Sequence, residues 1–382
     1  MSLQLIVPTL ILRADATSQI GLGHVMRCLA LALEWQRQGG RAVMICHCPF
    51  EAVRRQIREQ GVQLVTLPAP HPAADDVTTT LVTLADLSGG SRATAKRMWV
   101  VVDGALFDPS YLTLLRSTGH PVAALDDRIG RPYVDADLII TPAFGAECLE
   151  YRAPAGARQM LGIQYALLRP EFLAWREKPR SVPKTAGRLL VTLGGSDPAQ
   201  ATAHVIRALR YLDTVELDVR VVIGPANPQL RSLRLLAIDS RVPVRLVTDC
   251  RALPNLMGWA DLAISAAGVT CWEMACVGLP NATMATAECQ LSIIDAVAHL
   301  GAVVPLGLAQ NIQPDSLAET ISQLLANQSR RQSLLRNSKQ LVDGLGANRV
   351  VQAMLAAAGF ASETMPNDET PMAWPERYHE AA

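Results

Sequence analysis

Residues 9–37 of the chain run TLILRADATSQIGLGHVMRCLALALEWQR. An apolar stretch at 9–12 comes first, a loop with two glycines follows, and an amphipathic pattern with helical spacing fills 25–37. A short strand, a glycine-containing loop and a helix in this order form the first half of a βαβ unit, in which parallel strands alternate with helices. The stretch therefore predicts an α/β fold with a parallel sheet.

The alternation of apolar runs and amphipathic segments recurs along the rest of the chain. It predicts further strands in two series, at 42–45, 63–66, 99–102, 122–125 and 138–140, and then at 188–193, 217–223, 244–247, 262–265, 281–284 and 303–305. Because helical patterns separate most of these strands, each series is typical of a doubly wound, Rossmann-like sheet with helices on both faces.

Four prolines interrupt the pattern across residues 147–187, and we expect the domain junction there. The predicted division is a Rossmann-like domain at 1–170, a second Rossmann-like domain at 185–360, whose last helix covers about 347–358, and a polar tail at 361–382. Open α/β sheets bind ligands at the carboxyl ends of their strands. The active site is therefore expected in a cleft where those ends of the two domains face each other.

Composition limits the classes of partner. Of 382 residues, 49 % are apolar and 18 % are charged, which is typical of a globular chain with sizeable cores. The 35 basic residues balance the 35 acidic residues, so no overall field favours nucleic acid or an anionic membrane. The apolar runs are too short to predict stable membrane insertion, and the start of the chain does not resemble a signal peptide. A small anion, bound by local groups, is compatible with this composition.

The eight cysteines are scattered, without the dense spacing of a small disulfide-rich scaffold. Such usage fits reduced thiols and a cytoplasmic location. The Cys46-His47-Cys48 string resembles a set of metal ligands, but zinc knuckles usually need two or three residues between their cysteines. Buried thiols at the end of a strand are the preferred interpretation, and neither a metal site nor a cofactor is expected.

His24 is the first candidate for chemistry. It follows Gly21 and Gly23 at the junction between the first strand and the first helix. Glycines at such a junction let the backbone adopt positive φ or approach a ligand, and a helix N-terminus disfavours a protonated imidazole. A neutral His24 is suited to act as a general base. The alternative, that His24 caps the helix and the glycines only turn the chain, stays open from this motif alone.

A second strand-to-helix junction contains Gly194, Gly195 and Ser196, followed by Asp197 and Pro198. Asp197 or Ser196 is expected as the N-cap, and Pro198 as the first helical residue. Capping accounts for Asp197 and Pro198 but leaves the glycine pair unexplained. We therefore expect this loop to contact a phosphate group, with simple capping as the alternative.

The third junction carries the most information. After an apolar strand, the small residues Ala267, Gly268, Val269 and Thr270 lead into a helix whose first turn contains Glu273. Small residues allow a diphosphate to lie against backbone N–H groups at the helix start, and a carboxylate there accepts hydrogen bonds from both hydroxyls of a ribose. The combination predicts a ribonucleotide site, although a lone glutamate at a helix start is also common as compensation for the helix dipole.

Gln290 adds a polar group at the start of a later helix. It ends the string Ala287-Glu288-Cys289-Gln290, which follows the strand predicted at 281–284 and therefore lies at the same edge of the sheet. Its amide is suited to hydrogen bonds with sugar hydroxyls. An ordinary solvated helix start is the alternative, and it stays open.

Together these strings resemble the PseG family, the UDP-2,4-diacetamido-2,4,6-trideoxy-β-L-altropyranose hydrolases of pseudaminic acid biosynthesis, which are related to MurG-like glycosyltransferases of GT-B fold. The resemblance covers nearly the whole chain. Further matching strings are Val102-Asp103, Leu125-Asp126-Asp127, YALLRPEF at 165–172 and VDGLGA at 342–347. The resemblance implies a GT-B-like fold with two doubly wound Rossmann-like domains.

The resemblance also implies an activity and a set of site residues. The activity is the inverting, metal-independent hydrolysis of a UDP-linked acetamido-trideoxy sugar, for nonulosonic acid or surface polysaccharide biosynthesis, with His24 activating water for attack at the anomeric carbon. Contacts with the sugar side of the substrate are expected from Arg13, Asp15, Gly21, Gly23, Asp103 and Gln290. Contacts with UDP are expected from Gly194, Gly195, Ser196, Ala267, Gly268, Val269, Thr270 and Glu273.

Two positions depart from the family pattern. Family members commonly have a tyrosine where this chain has Ala105, and an asparagine where it has Cys289. Both positions face the sugar in the family, so the departures imply a different sugar, an altered reaction or lost activity, with the nucleotide side of the site intact. Hydrolysis is favoured because no membrane-docking patch is evident in the first domain. A GT-B glycosyltransferase that uses a UDP-amino sugar donor and a non-catalytic UDP-sugar-binding protein stay open as alternatives.

Overall fold

A computed structural model of the protein describes residues 9–95, 97–126, 133–212, 216–248, 250 and 252–360. The chain divides into two compact units. Among the described residues, the first comprises those up to Pro170 together with those from Leu345 onward, and the second comprises those within Glu171–Gly344. The predicted tail at 361–382 and the Asp127 position of the family resemblance lie outside the described residues.

The first unit is built on a seven-stranded parallel sheet. Its strands are β1 (Thr9–Ala14), β2 (Arg41–Cys46), β3 (Gln63–Thr66), β4 (Val100–Asp103), β5 (Val122–Leu125), β6 (Leu138–Thr141) and β7 (Arg158–Leu161). Their order in the sheet is β3-β2-β1-β4-β5-β6-β7. Every residue of β4 and β5 is buried, as expected for short apolar strands that are covered on both faces.

The described helices of this unit are α1 (Gly23–Arg37), α2 (Glu51–Glu59), α3 (Ala74–Ser88), α4 (Arg92–Ala95), α5 (Pro109–Ser117) and, near the end of the chain, α14 (Gly346–Ala357). α1 packs on β1 and β2 and against α14. Its apolar residues recur at helical spacing and are buried, so one of its faces forms part of the core of the unit.

The second unit has a six-stranded parallel sheet. Its strands are β8 (Arg188–Thr192), β9 (Asp218–Ile223), β10 (Val244–Thr248), β11 (Leu262–Ala266), β12 (Asn281–Ala285) and β13 (Val304–Leu308). Their order is β10-β9-β8-β11-β12-β13. The remaining helices are α6 (Pro170–Arg176), which begins at the unit boundary, α7 (Ala201–Ala208), α8 (Leu230–Ile238), α9 (Leu253–Trp259), α10 (Val269–Val277), α11 (Leu291–His299), α12 (Pro314–Ala326) and α13 (Gln328–Leu341).

These two sheets confirm the predicted fold class. In both units the third, second, first, fourth, fifth and sixth strands lie side by side in that order, which is the order of a Rossmann-like doubly wound fold. Twelve of the thirteen described strands lie where the apolar runs predict them. The exception is β7, an edge strand whose first two residues, Arg158 and Gln159, are exposed and polar. Such a strand lacks the apolar run by which the others are recognised.

The position of α14 differs from the predicted division, which assigned this helix to the second domain. The structure places it with the first unit. Trp99 Nε1 donates to Met354 O at 2.9 Å, and Asn348 Nδ2 donates to Glu34 Oε1 at 2.8 Å. The apolar face of α14 is buried in the core that also contains α1. Proximity along the chain was therefore a poor guide to where this helix packs.

Candidate functional site

The strand order of the first unit identifies a point where a ligand is expected. β1 and β4 are neighbours in the sheet, but β2 follows on one side of this pair and β5 on the other. At such a switch point the connections diverge, which leaves a crevice at the carboxyl ends of the two strands. Asp103, the last residue of β4, lies there beside Ala14, the last residue of β1.

His24 and Asp103 form a hydrogen-bonded pair at this point, although 79 positions separate them in the sequence. His24 Nδ1 lies 2.7 Å from Asp103 Oδ1. The Asp103 side chain is fully buried, whereas the His24 side chain keeps 20 % of its surface exposed. β4 thus fixes a buried carboxylate, and the first turn of α1 brings a partly exposed imidazole to it.

Arg27, one turn after His24 on α1, completes the cluster. Its Nε donates to Asp103 Oδ2 at 2.5 Å, and its Nη2 donates to Asp103 Oδ1 at 2.6 Å. This is the bidentate geometry in which a guanidinium donates two hydrogen bonds to one carboxylate. Sequence reasoning missed Arg27. Its spacing of three residues from His24, which puts both side chains on one face of a helix, is the signal that was available.

The surroundings of Asp103 keep it ionised. Burial alone raises the pKa of a carboxyl group, but the charges of Arg27 and His24 and their hydrogen bonds outweigh burial and lower the pKa of Asp103 to about 2. A carboxylate that accepts from His24 Nδ1 favours the tautomer with the proton on that nitrogen. Arg27 Nη2 also lies 3.1 Å from His24 Nδ1. In that tautomer His24 Nδ1 and Arg27 Nη2 are both donors, so they do not hydrogen-bond to each other. We therefore assign the hydrogen bond of Arg27 Nη2 to Asp103.

The resulting carboxylate–imidazole pair is suited to proton transfer. With Nδ1 protonated and directed at Asp103, the lone pair of a neutral His24 is on Nε2. A hydroxyl group within reach of Nε2 can give up its proton to it. His24 is the second residue of α1 and its ring bonds Asp103, so the alternative in which His24 only caps the helix does not fit this geometry.

The loop between β1 and α1 closes on itself. Gly21 N donates to Thr17 O at 2.9 Å, and Thr17 Oγ1 accepts from the N–H groups of Gln19 and Ile20. Gly21 has a φ of +82°, in the left-handed region that favours glycine. A Cβ atom on Gly21 or Gly23 would meet no atom within 4 Å. The space beside both glycines is therefore open to a ligand.

Arg13 and Asp15 belong to a different cluster. The Arg13 guanidinium is fully buried, donates to both carboxylate oxygens of Asp15 at 2.6 and 2.9 Å, and donates to Asp76 at 2.9 Å. Asp15 also accepts from the backbone N–H groups of His47 and His71, in the loops after β2 and β3. The two residues thus tie together the loops that follow three neighbouring strands, a geometry that favours support of the site over direct contact with substrate.

In the second unit, β8 and β11 occupy the corresponding switch point. Two glycines follow β8, and the structure gives each a separate explanation. Gly195 O accepts from Ala226 N at 3.1 Å, and a Cβ on Gly224 would lie 2.2 Å from Gly195 O, so close backbone packing involves Gly195. Gly194 has a φ of +90°, and a Cβ built on it would meet no atom within 4 Å. The space beside Gly194 is therefore open to a ligand.

The N-cap of the helix after this loop is Gln200, so the prediction of Asp197 or Ser196 at that position was wrong, although Asp197 accepts hydrogen bonds from the helix start. Its carboxylate accepts from the N–H groups of Ala201 at 2.8 Å and Thr202 at 2.9 Å, the first two residues of α7. Burial raises the pKa of Asp197, and these hydrogen bonds offset the effect only in part. α7 begins at Ala201, so Pro198 precedes the helix instead of starting it as predicted. Ser196, expected to contact UDP, is 7 % exposed.

The start of α10 offers the clearest site for a phosphate group. Gly268 is the N-cap and provides no side-chain hydrogen bond. The N–H groups of Ala267 and Gly268 already donate to backbone carbonyls, whereas within the described chain those of Val269 and Thr270 have no backbone acceptor. A Cβ on Gly268 would meet no atom within 4 Å, so the approach to these donors is open. Uncapped N–H groups at a helix start attract anions.

Glu273 lies on the second turn of α10, because the helix begins at Val269 and not earlier. This corrects the predicted position in the first turn. The residue is 6 % exposed. A carboxylate in the second turn compensates the helix dipole less than one in the first, which weakens that alternative explanation.

A buried polar network, which sequence reasoning missed, lies beneath the start of α10. Asn281 Nδ2 donates to Ser265 Oγ at 2.7 Å and to Thr283 Oγ1 at 2.9 Å, and lies 3.7 Å from Cys271 Sγ. The network connects β11, β12 and α10. The available signal was the presence of Ser, Asn and Thr within strands that are otherwise apolar. Among the described residues Asn281 Oδ1 is buried without a hydrogen-bond partner, so the amide NH₂ carries the network. Buried hydrogen bonds of this kind help to hold their elements in fixed positions.

Gln290 uses its side-chain carbonyl to close a turn. Its Oε1 accepts from the backbone N–H groups of Thr286 at 2.8 Å and Ala287 at 3.3 Å. The amide NH₂ is the part of the side chain suited to a sugar hydroxyl. Cys289 is exposed, as is Ala105 in the loop after β4, so neither departure from the family pattern is a buried packing change.

All eight cysteines are free thiols. Cys46 ends β2 and Cys48 follows it, and burial raises the pKa of both. This agrees with the interpretation of buried thiols at the end of a strand. Over the residues that the structure describes, no group of three or more histidine, cysteine or carboxylate side chains is arranged to hold a metal ion. In the same residues, no helix has the length and apolar character needed to cross a membrane.

Comparison with known proteins identifies relatives of the chain. No protein-family model matches it. The spore coat polysaccharide biosynthesis protein SpsG of Bacillus subtilis (strain 168) is 28 % identical over 234 residues, which cover 61 % of this chain and 68 % of SpsG. A UDP-N-acetylglucosamine--N-acetylmuramyl-(pentapeptide) pyrophosphoryl-undecaprenol N-acetylglucosamine transferase of Synechococcus sp. (strain CC9605) is 32 % identical over 187 residues, 45 % of this chain and 49 % of that enzyme. The chain is therefore related to UDP-sugar glycosyltransferases, although it spans only about half the length of that transferase.

Solved structures share the fold. MurG of Acinetobacter baumannii superposes with a TM-score of 0.59 at 17 % identity, covering 91 % of this chain and 99 % of MurG. The S. aureus MnaA-UDP co-structure gives a TM-score of 0.63 at 11 % identity, with 94 % and 98 % covered. At these identities the likeness establishes the fold, which is of GT-B type with two Rossmann-like domains. None of these four proteins is named as a hydrolase, so the comparisons leave the resemblance to the PseG hydrolases unsupported.

Proposed function

We propose that the protein is a glycosyltransferase of polysaccharide biosynthesis that uses a UDP-sugar donor and has His24 as its general base. The observation that carries the proposal is the His24–Asp103 pair, which Arg27 holds at the switch point of the first unit. The names of the relatives support glycosyl transfer over the hydrolysis expected from the sequence, because they include a UDP-N-acetylglucosamine-dependent transferase and a polysaccharide biosynthesis protein.

In this proposal His24 activates the acceptor. Its Nε2 takes the proton of an acceptor hydroxyl while the hydroxyl oxygen bonds to the anomeric carbon of the donor. The bond from that carbon to the diphosphate breaks, its electron pair leaves with UDP, and the anomeric configuration inverts. Asp103 stabilises the imidazolium as it forms. A positioned base of this kind contributes roughly 10²- to 10⁴-fold to the rate.

The second unit binds UDP in this proposal. The N–H groups of Val269 and Thr270 receive the diphosphate, and the dipole of α10 stabilises the negative charge that grows on the leaving group. Glu273 accepts hydrogen bonds from the ribose hydroxyls, and the loop with Gly194 and Ser196 flanks the phosphates. Together with the amide of Gln290, which donates to a sugar hydroxyl, these groups account for the predicted UDP and sugar contacts outside the first unit.

Hydrolysis is the second candidate, and one observation favours it. The string from Arg13 to His24 matches the start of the UDP-sugar hydrolases of the resemblance, and the structure pairs its histidine with a carboxylate. A water molecule in place of the acceptor hydroxyl gives the same chemistry at the anomeric carbon, with a free sugar as product. The His24 geometry is equally suited to either nucleophile.

Nucleotide release separates the candidates. The purified protein is incubated with a panel of UDP-amino sugars, with and without a panel of sugar acceptors, and UDP and the anomeric products are followed by proton NMR. A transferase releases UDP only when an acceptor is present and forms a new glycosidic bond. A hydrolase releases UDP in water alone. UDP-sugar binding by calorimetry without release under either condition would contradict both candidates and leave a binding protein.

A further inference from the structure

The outer surface of α8, in the second unit, exposes large apolar side chains. Leu233 is the only residue of this helix that is buried. Leu235 is 66 % exposed and Ile238 is 81 % exposed, more than any other large hydrophobic side chain of the described residues. Single exposed apolar residues are ordinary, but two on one short helix need a separate explanation.

The spacing of α8 shows that these side chains point away from the core. Arg231, Leu235 and Ile238 follow one another at intervals of about one helical turn and therefore form a single stripe. Leu233, two residues before Leu235, lies on the opposite side of the helix and is fully buried. Arg234 is exposed beside the stripe. The helix thus presents leucine, isoleucine and arginine side chains together to its surroundings.

The elements that pack against α8 extend this surface. α7 and β10 contact the helix, and Tyr211, in the turn after α7, is 63 % exposed. Further arginines that are exposed or half-exposed in and after α7 and in the turn after α8 stand at positions Arg207, Arg210 and Arg241. We call α8 and these residues the α8 surface.

Few acidic side chains offset these arginines. Asp239 forms an ion pair with Arg210, Asp218 lies 3.7 Å from Arg220, and Glu216 is exposed. Within the part of the chain that the structure describes, arginines therefore outnumber acidic groups on and around the α8 surface, although the chain as a whole carries no net charge. The balance of 35 basic and 35 acidic residues conceals a local positive region.

The combination of exposed aliphatic side chains and arginines on the α8 surface favours one kind of binding partner over others. Two copies of the surface would bring arginines against arginines, which opposes self-association through this face. A nucleic acid would satisfy the arginines but gain little from Leu235 and Ile238. An anionic bilayer satisfies both, because its headgroups attract arginine while aliphatic side chains of a surface helix insert at the boundary of the acyl chains.

We infer that the α8 surface docks the protein on a membrane that contains anionic phospholipids. α8 lies along the bilayer plane, Leu235 and Ile238 enter the headgroup boundary, and Arg231 and Arg234 bind lipid phosphates, with Tyr211 at the polar interface. The inference does not depend on the proposed transferase activity, because none of these residues belongs to the candidate site.

Vesicle flotation with the full chain tests the inference. Vesicles of phosphatidylcholine with roughly one third phosphatidylglycerol are expected to bind the protein at low salt, and pure phosphatidylcholine vesicles are expected to bind it at least tenfold more weakly. The double variant Leu235→Ser, Ile238→Ser and the double variant Arg231→Glu, Arg234→Glu should each lower the affinity for anionic vesicles by about tenfold or more.

Matched variants control for nonspecific effects. Val82→Ser removes a valine that is 54 % exposed on α3, and Arg330→Glu reverses an exposed charge on α13. Both should bind anionic vesicles like the unchanged protein, and circular dichroism should show that all variants fold. The inference is overturned by absence of binding to anionic vesicles at low salt, or by binding that the two α8 variants leave unchanged. It is equally overturned by light scattering that shows an α8-dependent dimer with no affinity for lipid.

Discussion

Asp103 is the residue on which the geometry of the first unit depends. It is fully buried, and the charges of Arg27 and His24 hold its pKa at about 2. The carboxylate is therefore ionised over the whole physiological range and orients the imidazole. His24 and Arg27 both come from one turn of α1, so a single substitution at Asp103 disturbs the entire cluster.

Asp103→Asn should lower turnover by about two to four orders of magnitude, because an amide neither fixes the Nδ1 tautomer nor stabilises an imidazolium. UDP affinity should stay unchanged, since the proposed UDP groups belong to the second unit. Initial rates of UDP release and calorimetry with UDP measure the two effects. Asp295→Asn, at an exposed position on α11, is the matched control. Equal turnover in Asp103→Asn would contradict a role of this pair in proton transfer.

The lowered pKa of Asp103 also predicts a pH dependence of stability. Because the pKa in the folded protein lies below the ordinary value of 3.8, the stabilisation is complete above 3.8 and is lost as the pH falls towards about 2. The loss from this group should be about 2 kcal/mol in the free energy of unfolding. Urea unfolding at a series of pH values from neutral to acid checks it. Asp103→Asn should show a smaller decrease over the same window, and an identical decrease would contradict the prediction.

A substitution at Gly268 tests the phosphate site, because it should change UDP affinity without lowering the free energy of unfolding. Its backbone is in the extended region suited to an N-cap residue, and a Cβ there would meet no atom. Gly268→Ser should keep or slightly raise the free energy of unfolding, because serine caps a helix. Its hydroxyl would occupy an N–H group of α10, so UDP affinity should decrease about tenfold or more.

Gly224→Ala is the contrasting variant. A Cβ at this position would lie 2.2 Å from a backbone oxygen, so the second unit should lose stability by several kcal/mol. Calorimetry with UDP and urea unfolding measure both variants. An unchanged UDP affinity in Gly268→Ser would contradict the proposed site at α10.

At the scale of elements, the packing of α14 shows how the last part of the chain contributes to the first unit. Met354 is fully buried in the core that contains α1, and its carbonyl accepts from Trp99. Met354→Ala should therefore lower the free energy of unfolding by about 2–5 kcal/mol. Ala356→Ser, at an exposed position of the same helix, should change it by less than about 0.5 kcal/mol. Urea unfolding followed by tryptophan fluorescence distinguishes the two, and equal effects would contradict burial of this face.

Elements were predicted well where their own residues determine them. β4 is a short apolar run bounded by loops, and α1 has apolar residues at helical spacing, so local patterns were sufficient. β7 was missed because it has exposed polar residues and is held by its neighbour β6. The domain of α14 was assigned differently because it depends on packing against α1, which no local pattern encodes.

At the scale of the whole molecule, several residues of the candidate site could be predicted from the sequence, but the contacts between them could not. His24 and Asp103 were both named from motifs, yet their pairing joins residues 79 positions apart. Arg13 appeared in the same motif as His24, but its partner Asp76 lies 63 positions away and buries it. The glycines of the loops looked alike in sequence. Only packing separates Gly195, which contacts backbone, from Gly268, which has open space beside it.

The α8 surface belongs to this scale as well. Net charge is a property of the whole chain, and a neutral total gave no indication of the arginines gathered around α8. Their grouping depends on α7 and α8 lying side by side. A prediction of partners from composition therefore applies to the average surface and not to any one face.

The most direct test of the central claim is UDP release from a panel of UDP-amino sugars, measured with the acceptor panel for the unchanged protein, for His24→Ala and for His299→Ala. His299 is an exposed histidine on α11 and serves as the matched control. We predict release with at least one donor, a decrease of about two to four orders of magnitude in His24→Ala, and no change in His299→Ala. Release by His24→Ala at the rate of the unchanged protein would contradict the account.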